Sequence, residues 1–157
     1  MKTLENLAIR QTTSEDLEKL SQMYPSIYSD TDEAWSEKAS FELLHFYFSL
    51  PTFLGLTAIY ENEVVGAFFA YIKPWWDGNH LGEGELFIEP SHQRMGIGSM
   101  LYLEMMKLAD KKGCVQQDLL TYIGKPADNW YKRIGFKETG QTHLTGNIKE
   151  VMEKLES

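Results

Sequence analysis

The chain has 157 residues and a mass of 18.1 kDa, which fits one domain over residues 1–157 by the usual range of roughly 100–200 residues. Hydrophobic residues at 43% and charged residues at 24%, mixed throughout, exclude a disordered chain. A single cysteine, Cys114, excludes an internal disulfide or a cysteine-rich zinc site, and no metal centre is expected. Fifteen Lys and Arg against 23 Asp and Glu give a formal charge of −8; this counts against a nucleic-acid partner and favours a cationic small molecule. No apolar run approaches the roughly 20 residues of a membrane span, and Met1–Arg10 lacks the apolar stretch of a secretory signal. A cytoplasmic protein without a membrane partner is expected.

In chain order, Leu7–Gln11 predicts a short strand, and Thr12 with Glu15 has capping-box spacing before a helix carrying Leu17, Leu20 and Tyr24. Pro25 is expected to end that helix. A second, aromatic helix is predicted from Ser36 to Phe48. Phe53–Tyr60 and Val64–Ile72 predict a hairpin about Glu61-Asn62-Glu63. Pro74 to Asn79 interrupts the chain, and Leu81–Glu89 predicts one further strand, with Gly82 and Gly84 as signs of a bulge or a close backbone approach. The strongest helix runs from Gly96 to Lys112, with Ile97, Leu101, Met105 and Leu108 on one stripe. A strand over Val115–Tyr122, a short helix over Ala127–Ile134 and a strand start at Gly135–Glu138 follow. Strands and helices in this mixed order indicate the α/β class.

The stretch Gln93-Arg94-Met95-Gly96-Ile97-Gly98-Ser99 lies between a predicted strand and a predicted helix. The first turn of a helix offers unpaired amides and the positive end of its dipole, and glycines let an anion approach. The stretch lacks the Gly-Lys-Ser/Thr ending of nucleotide triphosphatase loops and the third glycine of the dinucleotide fingerprint. It resembles the Gln/Arg-x-x-Gly-x-Gly/Ala signature of the GNAT superfamily of N-acetyltransferases. Upstream, Leu86-Phe87-Ile88-Glu89-Pro90 is similar to that family's fourth strand and the turn after it. Downstream, Ala127 and Tyr131-Lys132-Arg133-Ile134-Gly135-Phe136 are similar to its Ala-x-x-x-Tyr-x-x-x-Gly-Phe segment. The resemblance implies a mixed, mainly antiparallel central sheet flanked by helices and splayed between the fourth and fifth strands. It makes Ile148–Leu155 the closing strand despite helical propensities. It also implies acetyl-CoA as cosubstrate, held by Leu86, Phe87, Ile88, Gln93, Arg94, Met95, Gly96, Ile97, Gly98, Ser99 and Tyr131. Two positions depart from the family pattern. Gly124 stands where an Asn is common, and Leu119 where some members have a catalytic Glu.

Acetyl transfer to an amine needs the neutral nucleophile, whereas an alkyl amine with a pKa of roughly 10.4 is protonated at neutral pH. Glu83 and Glu85, two apart on a predicted strand, would face one side and are the candidate bases. Asp77 and His80 are lesser candidates, while His45, His92, His143 and Cys114 read as ordinary polar or buried residues. The resemblance assigns the general acid for the departing thiolate to Tyr131, and the donor to the carbonyl oxygen to a main-chain amide at Phe87 or Ile88. Trp35, Phe41, Tyr47, Tyr71, Trp75 and Trp76 flank the implied acceptor cleft. Aromatic faces with carboxylates suit an ammonium group; core packing or homodimer contacts are the alternative use of these rings. The expected function is N-acetyl transfer to a primary amine of a small molecule or peptide, and the alternative is a non-catalytic acetyl-CoA sensor or interaction module.

Overall fold

In the computed structural model, which describes residues 4–29 and 31–157, the hairpin signals set the centre of a six-stranded sheet. Met1 and Lys2, within the segment read above for a leader, lie outside the described residues. The strands are β1 (Leu7–Gln11), β2 (Phe53–Tyr60), β3 (Glu63–Trp75), β4 (Gly78–Leu81), β5 (Glu85–Ile88) and β6 (Cys114–Gln117). Their order is β1-β2-β3-β4-β6, with β5 also laddered to β3. All pairs are antiparallel except β4 with β6. The sheet and the helices α1 (Asp16–Ile27), α2 (Glu37–Phe48) and α3 (Ile97–Lys111) belong to one compact unit, residues 1–120. The mixed, mainly antiparallel α/β architecture read from the sequence is present.

β3 is buried without alternation from Val65 to Ala70 because both of its faces are covered. Ala67 and Phe69 join Leu17, Leu20, Met23, Tyr24 and Leu44 of α1 and α2 in one core. Phe68, on the other face, stacks on Tyr102 of α3 at 5.1 Å between ring centres. β3 runs on through Pro74 to a two-residue turn at Trp76-Asp77. Proline is tolerated there because β2 no longer flanks β3 beyond Tyr71, so no ladder needs the missing amide on that side.

The start of α1 differs from the capping-box expectation. Thr12 Oγ1 bonds Thr57 Oγ1 at 2.9 Å, and Asp16 takes the amide of Thr13 at 2.8 Å. Asp16, 4% exposed, also receives both guanidinium nitrogens of Arg10 at 2.7 Å and the Thr57 hydroxyl at 3.2 Å. Burial pushes its carboxyl up, but Arg10, the Thr13 amide and Thr57 together bring it below the usual range. Asp16→Ala leaves those donors without their acceptor and is expected to cost about 2 kcal/mol in urea unfolding. Because the folded-state pKa is depressed, this contribution is present above the unfolded value of about 3.9 and fades as pH falls through the folded one. Pro25 lies inside the last turn of α1, which ends two residues later at Ile27. α2 starts where expected, with Ser36 Oγ accepting the Ala39 amide at 3.1 Å.

The second compact unit, residues 121–157, holds α4 (Pro126–Arg133) and α5 (Ile148–Glu156). α5 corrects the strand expected at Ile148–Leu155. Asn147 caps it by accepting the amides of Lys149 at 3.0 Å and Glu150 at 3.3 Å. Ile148, Val151, Met152 and Leu155 recur at helical spacing, so local preference and a good cap prevail. The strand start expected at Gly135–Glu138 is likewise irregular backbone, entered through Gly135 at φ +113°.

Candidate functional site

The single strand expected over Leu81–Glu89 is two. β4 pairs with β3 at Ile72↔Leu81, and β5 pairs at Phe69↔Glu85, so three steps on β3 oppose four on the partner. The extra residue lies in Gly82–Gly84 and makes a one-residue bulge. A Cβ at Gly84 would overlap the Phe69 carbonyl, so that glycine is required by close approach, and one at Gly82 would displace the Tyr71 ring. β4 also carries β6, whereas among the described residues β5 ladders with β3 alone. The Glu89 amide bonds Val65 O at 2.8 Å, so by alternation Glu85 and Phe87 also turn their amides to β3. Leu86 and Ile88 turn theirs to the opposite edge, and the Ile88 carbonyl on that edge takes Gln93 Nε2 at 3.0 Å. Of the two amides expected to meet a carbonyl oxygen, Ile88's is therefore directed to that edge and Phe87's is committed to the sheet.

Side chains of β5 divide between the two faces. Leu86 and Ile88 lie on the α3 side, where a Cβ at Gly98 would sit in ordinary contact with Ile88. Phe87 is buried in the α1–α2 core, edge-on to Tyr24 with ring centres 5.1 Å apart, so its ring is structural. Glu85 shares that face. Its Oε2 accepts the hydroxyls of Tyr24 at 2.7 Å and Tyr28 at 3.0 Å. Burial raises the Glu85 pKa, the two phenols work against the rise, and the charge of Glu33 adds to it; the net shift is upward. Trp35 packs edge-on to Tyr24 at 5.1 Å between ring centres and donates Nε1 to Glu33 at 2.7 Å. Tyr47 of α2 lies 6.4 Å from Tyr71 by ring centres. Burial, then the charge of Glu85, pushes Tyr47 up to about 12.

Glu83 does not share a regular strand with Glu85. It is exposed on the bulge segment, within the electrostatic reach of Tyr47 and Lys73. Of the six rings assigned to an acceptor cleft, Trp35, Tyr47 and Tyr71 join this cluster. Phe41 stacks on His45 of its own helix, Trp75 lies beside Lys73 and His80, and Trp76 is exposed. Tyr24 and Tyr28 escaped the sequence reading, since Tyr24 looked like one more core position of an amphipathic helix. A signal was present in their spacing of four at the end of one helix, which brings two phenols to one side of it.

At the far end of β5 the chain makes a 3₁₀ turn, Pro90–His92, and enters the glycine loop. Arg94 at φ +64° and Gly96 at φ +90° are left-handed, and Gly96 is the N-cap of α3. The loop from Gln93 to Gly96 is exposed, Gly98 and Ser99 are partly so, and Ile97 anchors it in the core. A Cβ at Gly96 would meet nothing within 4 Å, so the protein presents open space there beside the first-turn amides of α3.

Asp77 and His80 form a separate cluster. His80, buried on β4, places Nε2 2.7 Å from Asp77 Oδ1 and Nδ1 3.0 Å from Asp118 Oδ2. Lys73 Nζ is 2.7 Å from the same Asp118 oxygen. The bond to Asp118, then that to Asp77, raises the His80 pKa against burial. With a carboxylate at each nitrogen, the protonated form of the ring is favoured, and His80 ties β4 to the end of β6 with both nitrogens engaged. In the second unit, Tyr131 is half-buried on α4 and packs against Trp130 and Phe136. Asp128 holds the start of that helix by accepting the Gly124 amide at 2.8 Å. Leu119 lies beyond the end of β6.

Residues 17–136 match the model of the Acetyltransferase (GNAT) family. Phosphinothricin N-acetyltransferase of Streptomyces viridochromogenes is 29% identical over 92 residues, which are 55% of this chain and 49% of that protein. The match thus spans about half the length of that curated relative. Among solved structures, a putative acetyl transferase from Pyrococcus furiosus aligns with a TM-score of 0.74 at 21% identity, over 90% of this chain and 99% of its own. A possible acetyltransferase from Clostridium difficile 630 aligns at 0.76 and 14% identity, over 92% and 99%. The aminoglycoside N-acetyltransferase AAC(6')-Iy in complex with CoA aligns at 0.72 and 17% identity, over 90% and 95%. At these identities the solved structures speak for the fold.

Proposed function

This chain belongs to the GNAT family of acetyltransferases, and we propose that it moves the acetyl group of acetyl-CoA to a primary amine of a small molecule or peptide by direct attack in a ternary complex. The observation that carries this reading is β5. One four-residue strand holds Glu85 against an aromatic cluster on one face and leads through a single 3₁₀ turn into the glycine loop beside α3. We read residues 1–157 as a single catalytic domain, supported by the family match, which spans parts of both compact units.

The residues fit the cosubstrate. Open space at Gly96, the first-turn amides of Ile97 to Ser99 and the nearby Arg94 suit a pyrophosphate. The outward amides of Leu86 and Ile88 suit the pantetheine arm and the acetyl carbonyl. Acetyl-CoA supplies a thioester, whose carbonyl the amine attacks. Glu85 takes the amine's proton, directly or through water, and Ile88 N–H donates to the carbonyl oxygen as it gains negative charge. Tyr131, in the position of the family's general acid, gives its proton to the departing thiolate. Trp35, Tyr47 and Tyr71 with Glu33 offer faces and charge to an ammonium group, and the chain's charge of −8 agrees with a cationic acceptor.

The test is a panel of polyamines, aminoglycosides, amino acids and peptides, scored for CoA release and for acetylated product by mass spectrometry. At least one primary amine is expected to turn over. With that amine, Tyr131→Phe is expected to lower kcat about 10²-fold or more while leaving the Kd for acetyl-CoA near wild type. Acetyl-CoA binding without turnover of any amine would favour the sensor; wild-type kcat in Tyr131→Phe, with chemistry rate-limiting, would remove the general-acid role.

A further inference from the structure

Glu85 is held by a pair of phenols whose arrangement the reaction scheme does not use. Tyr24 lies in the last turn of α1 and Tyr28 is the residue that caps its C-terminal end, with ring centres 4.9 Å apart. Both donate to the same carboxylate oxygen, Oε2, at 2.7 and 3.0 Å. The other oxygen, Oε1, receives neither. Tyr24 is 1% exposed and its ring is wedged against Trp35 and Phe87, so its hydroxyl is held in place by packing on both sides.

We propose that Tyr24 and Tyr28 are positioning residues that clamp Glu85 through Oε2, leaving Oε1 to face the amine and holding the carboxylate ionised in a partly buried site. The proposal rests on the reading of Glu85 as the base but makes a claim about the ligand-free protein. Burial alone penalises the charged carboxylate, and hydrogen bonds to the charged form oppose that penalty. The groups facing Glu85 are Tyr24 from α1, Tyr28 and Glu33 from the segment after it, and Tyr47 from α2. None of them is a cation, so the two phenols are the stabilising donors. Burial, then the charge of Glu85, pushes both phenols above their ordinary pKa. They therefore remain neutral donors over the working range. Two fixed donors on one oxygen also restrict rotation about the last torsion of Glu85, as a base that must meet an incoming amine requires.

The experiment is a carboxyl-carbon NMR titration of ligand-free protein labelled at glutamate, with the Glu85 signal identified by its loss in Glu85→Gln. Tyr24→Phe and Tyr28→Phe keep the rings and so preserve the packing; thermal unfolding checks this. Each variant is expected to move the Glu85 titration up by about one pH unit. The shift is expected to be larger for Tyr24, whose bond is shorter, and largest in the double variant. Unmoved Glu85 titration in folded Tyr24→Phe and Tyr28→Phe would overturn the clamp. The pH profile of kcat/KM separates this from the catalytic reading. If the NMR titration moves and the acid limb of the rate follows it, both hold. If the NMR titration moves and the acid limb does not, the clamp holds and Glu85 is not the base.

Discussion

Glu85→Gln is expected to lower kcat/KM for the acetylated amine by about 10²- to 10⁴-fold, the usual worth of a positioned base, with the fold intact. The substitution keeps size and leaves an amide oxygen to accept the Tyr24 and Tyr28 hydroxyls, and it removes a charge that burial already disfavours. The deficit depends on pH in a direction set by two groups. Below the Glu85 pKa, raised above the ordinary carboxylate value of about 4.3, the wild-type base is itself protonated and the two proteins converge. Near and above the amine pKa, roughly 10.4, free amine is abundant and a base matters less. The gap between wild type and Glu85→Gln is therefore expected to be widest between those limits, read from kcat/KM against pH. Glu83→Gln should have little effect, because Glu83 is exposed on the bulge and receives no phenol. A large loss in Glu83→Gln with near-normal Glu85→Gln would exchange the two roles. Normal rates in both would leave proton removal to water, since His80 is committed to two carboxylates.

The contrast between these glutamates marks where the sequence was legible and where it was not. Gly82 and Gly84 signalled a bulge or close approach, but which residue leaves the strand depends on register against β3, set by pairs such as Phe69↔Glu85, 16 positions apart. Alternation read across the bulge therefore placed Glu83 and Glu85 on one regular strand, whereas β5 begins at Glu85 and Glu83 lies on the bulge before it, both within electrostatic reach of Tyr47. The clamp on Glu85 comes from Tyr24 and Tyr28, separated from it by 61 and 57 residues, a distance no local pattern spans. By contrast, the loop from Gln93 to Ser99 was readable because its features are local: two glycines, a helix start and a preceding strand. The tail failed in the opposite way. Asn147 and the 148/151/152/155 stripe carried a local helix signal, and the expectation of a closing strand, taken from family resemblance, set it aside. Local signals prevailed in the glycine loop and in α5, while contacts distant in sequence decided the start of α1 and the chemistry of β5.

Gly96→Phe is expected to weaken CoA binding by about 100-fold or more while leaving the protein folded. Gly96 has φ +90°, a backbone region that side chains rarely occupy, so any replacement carries a strain of roughly 1–2 kcal/mol. A Cβ there meets nothing within 4 Å, so a side chain starts into open space beside the first-turn amides of α3. A phosphate kept from those amides loses charge-assisted bonds worth about 1.5–3 kcal/mol each, and two of them account for the 100-fold figure. Strain and obstruction are separable. Gly113, at the other end of α3, has φ +79° and equally open surroundings, so Gly113→Phe carries a similar strain without a ligand to displace. Calorimetric titration with CoA is expected to show near-wild-type affinity for Gly113→Phe and large loss for Gly96→Phe, with similar melting temperatures. Gly96→Ala, which adds the strain and only one methyl group, should fall between wild type and Gly96→Phe. Equal loss in Gly96→Phe and Gly113→Phe would assign the effect to helix strain, and undiminished CoA affinity in Gly96→Phe would remove the pyrophosphate from this loop.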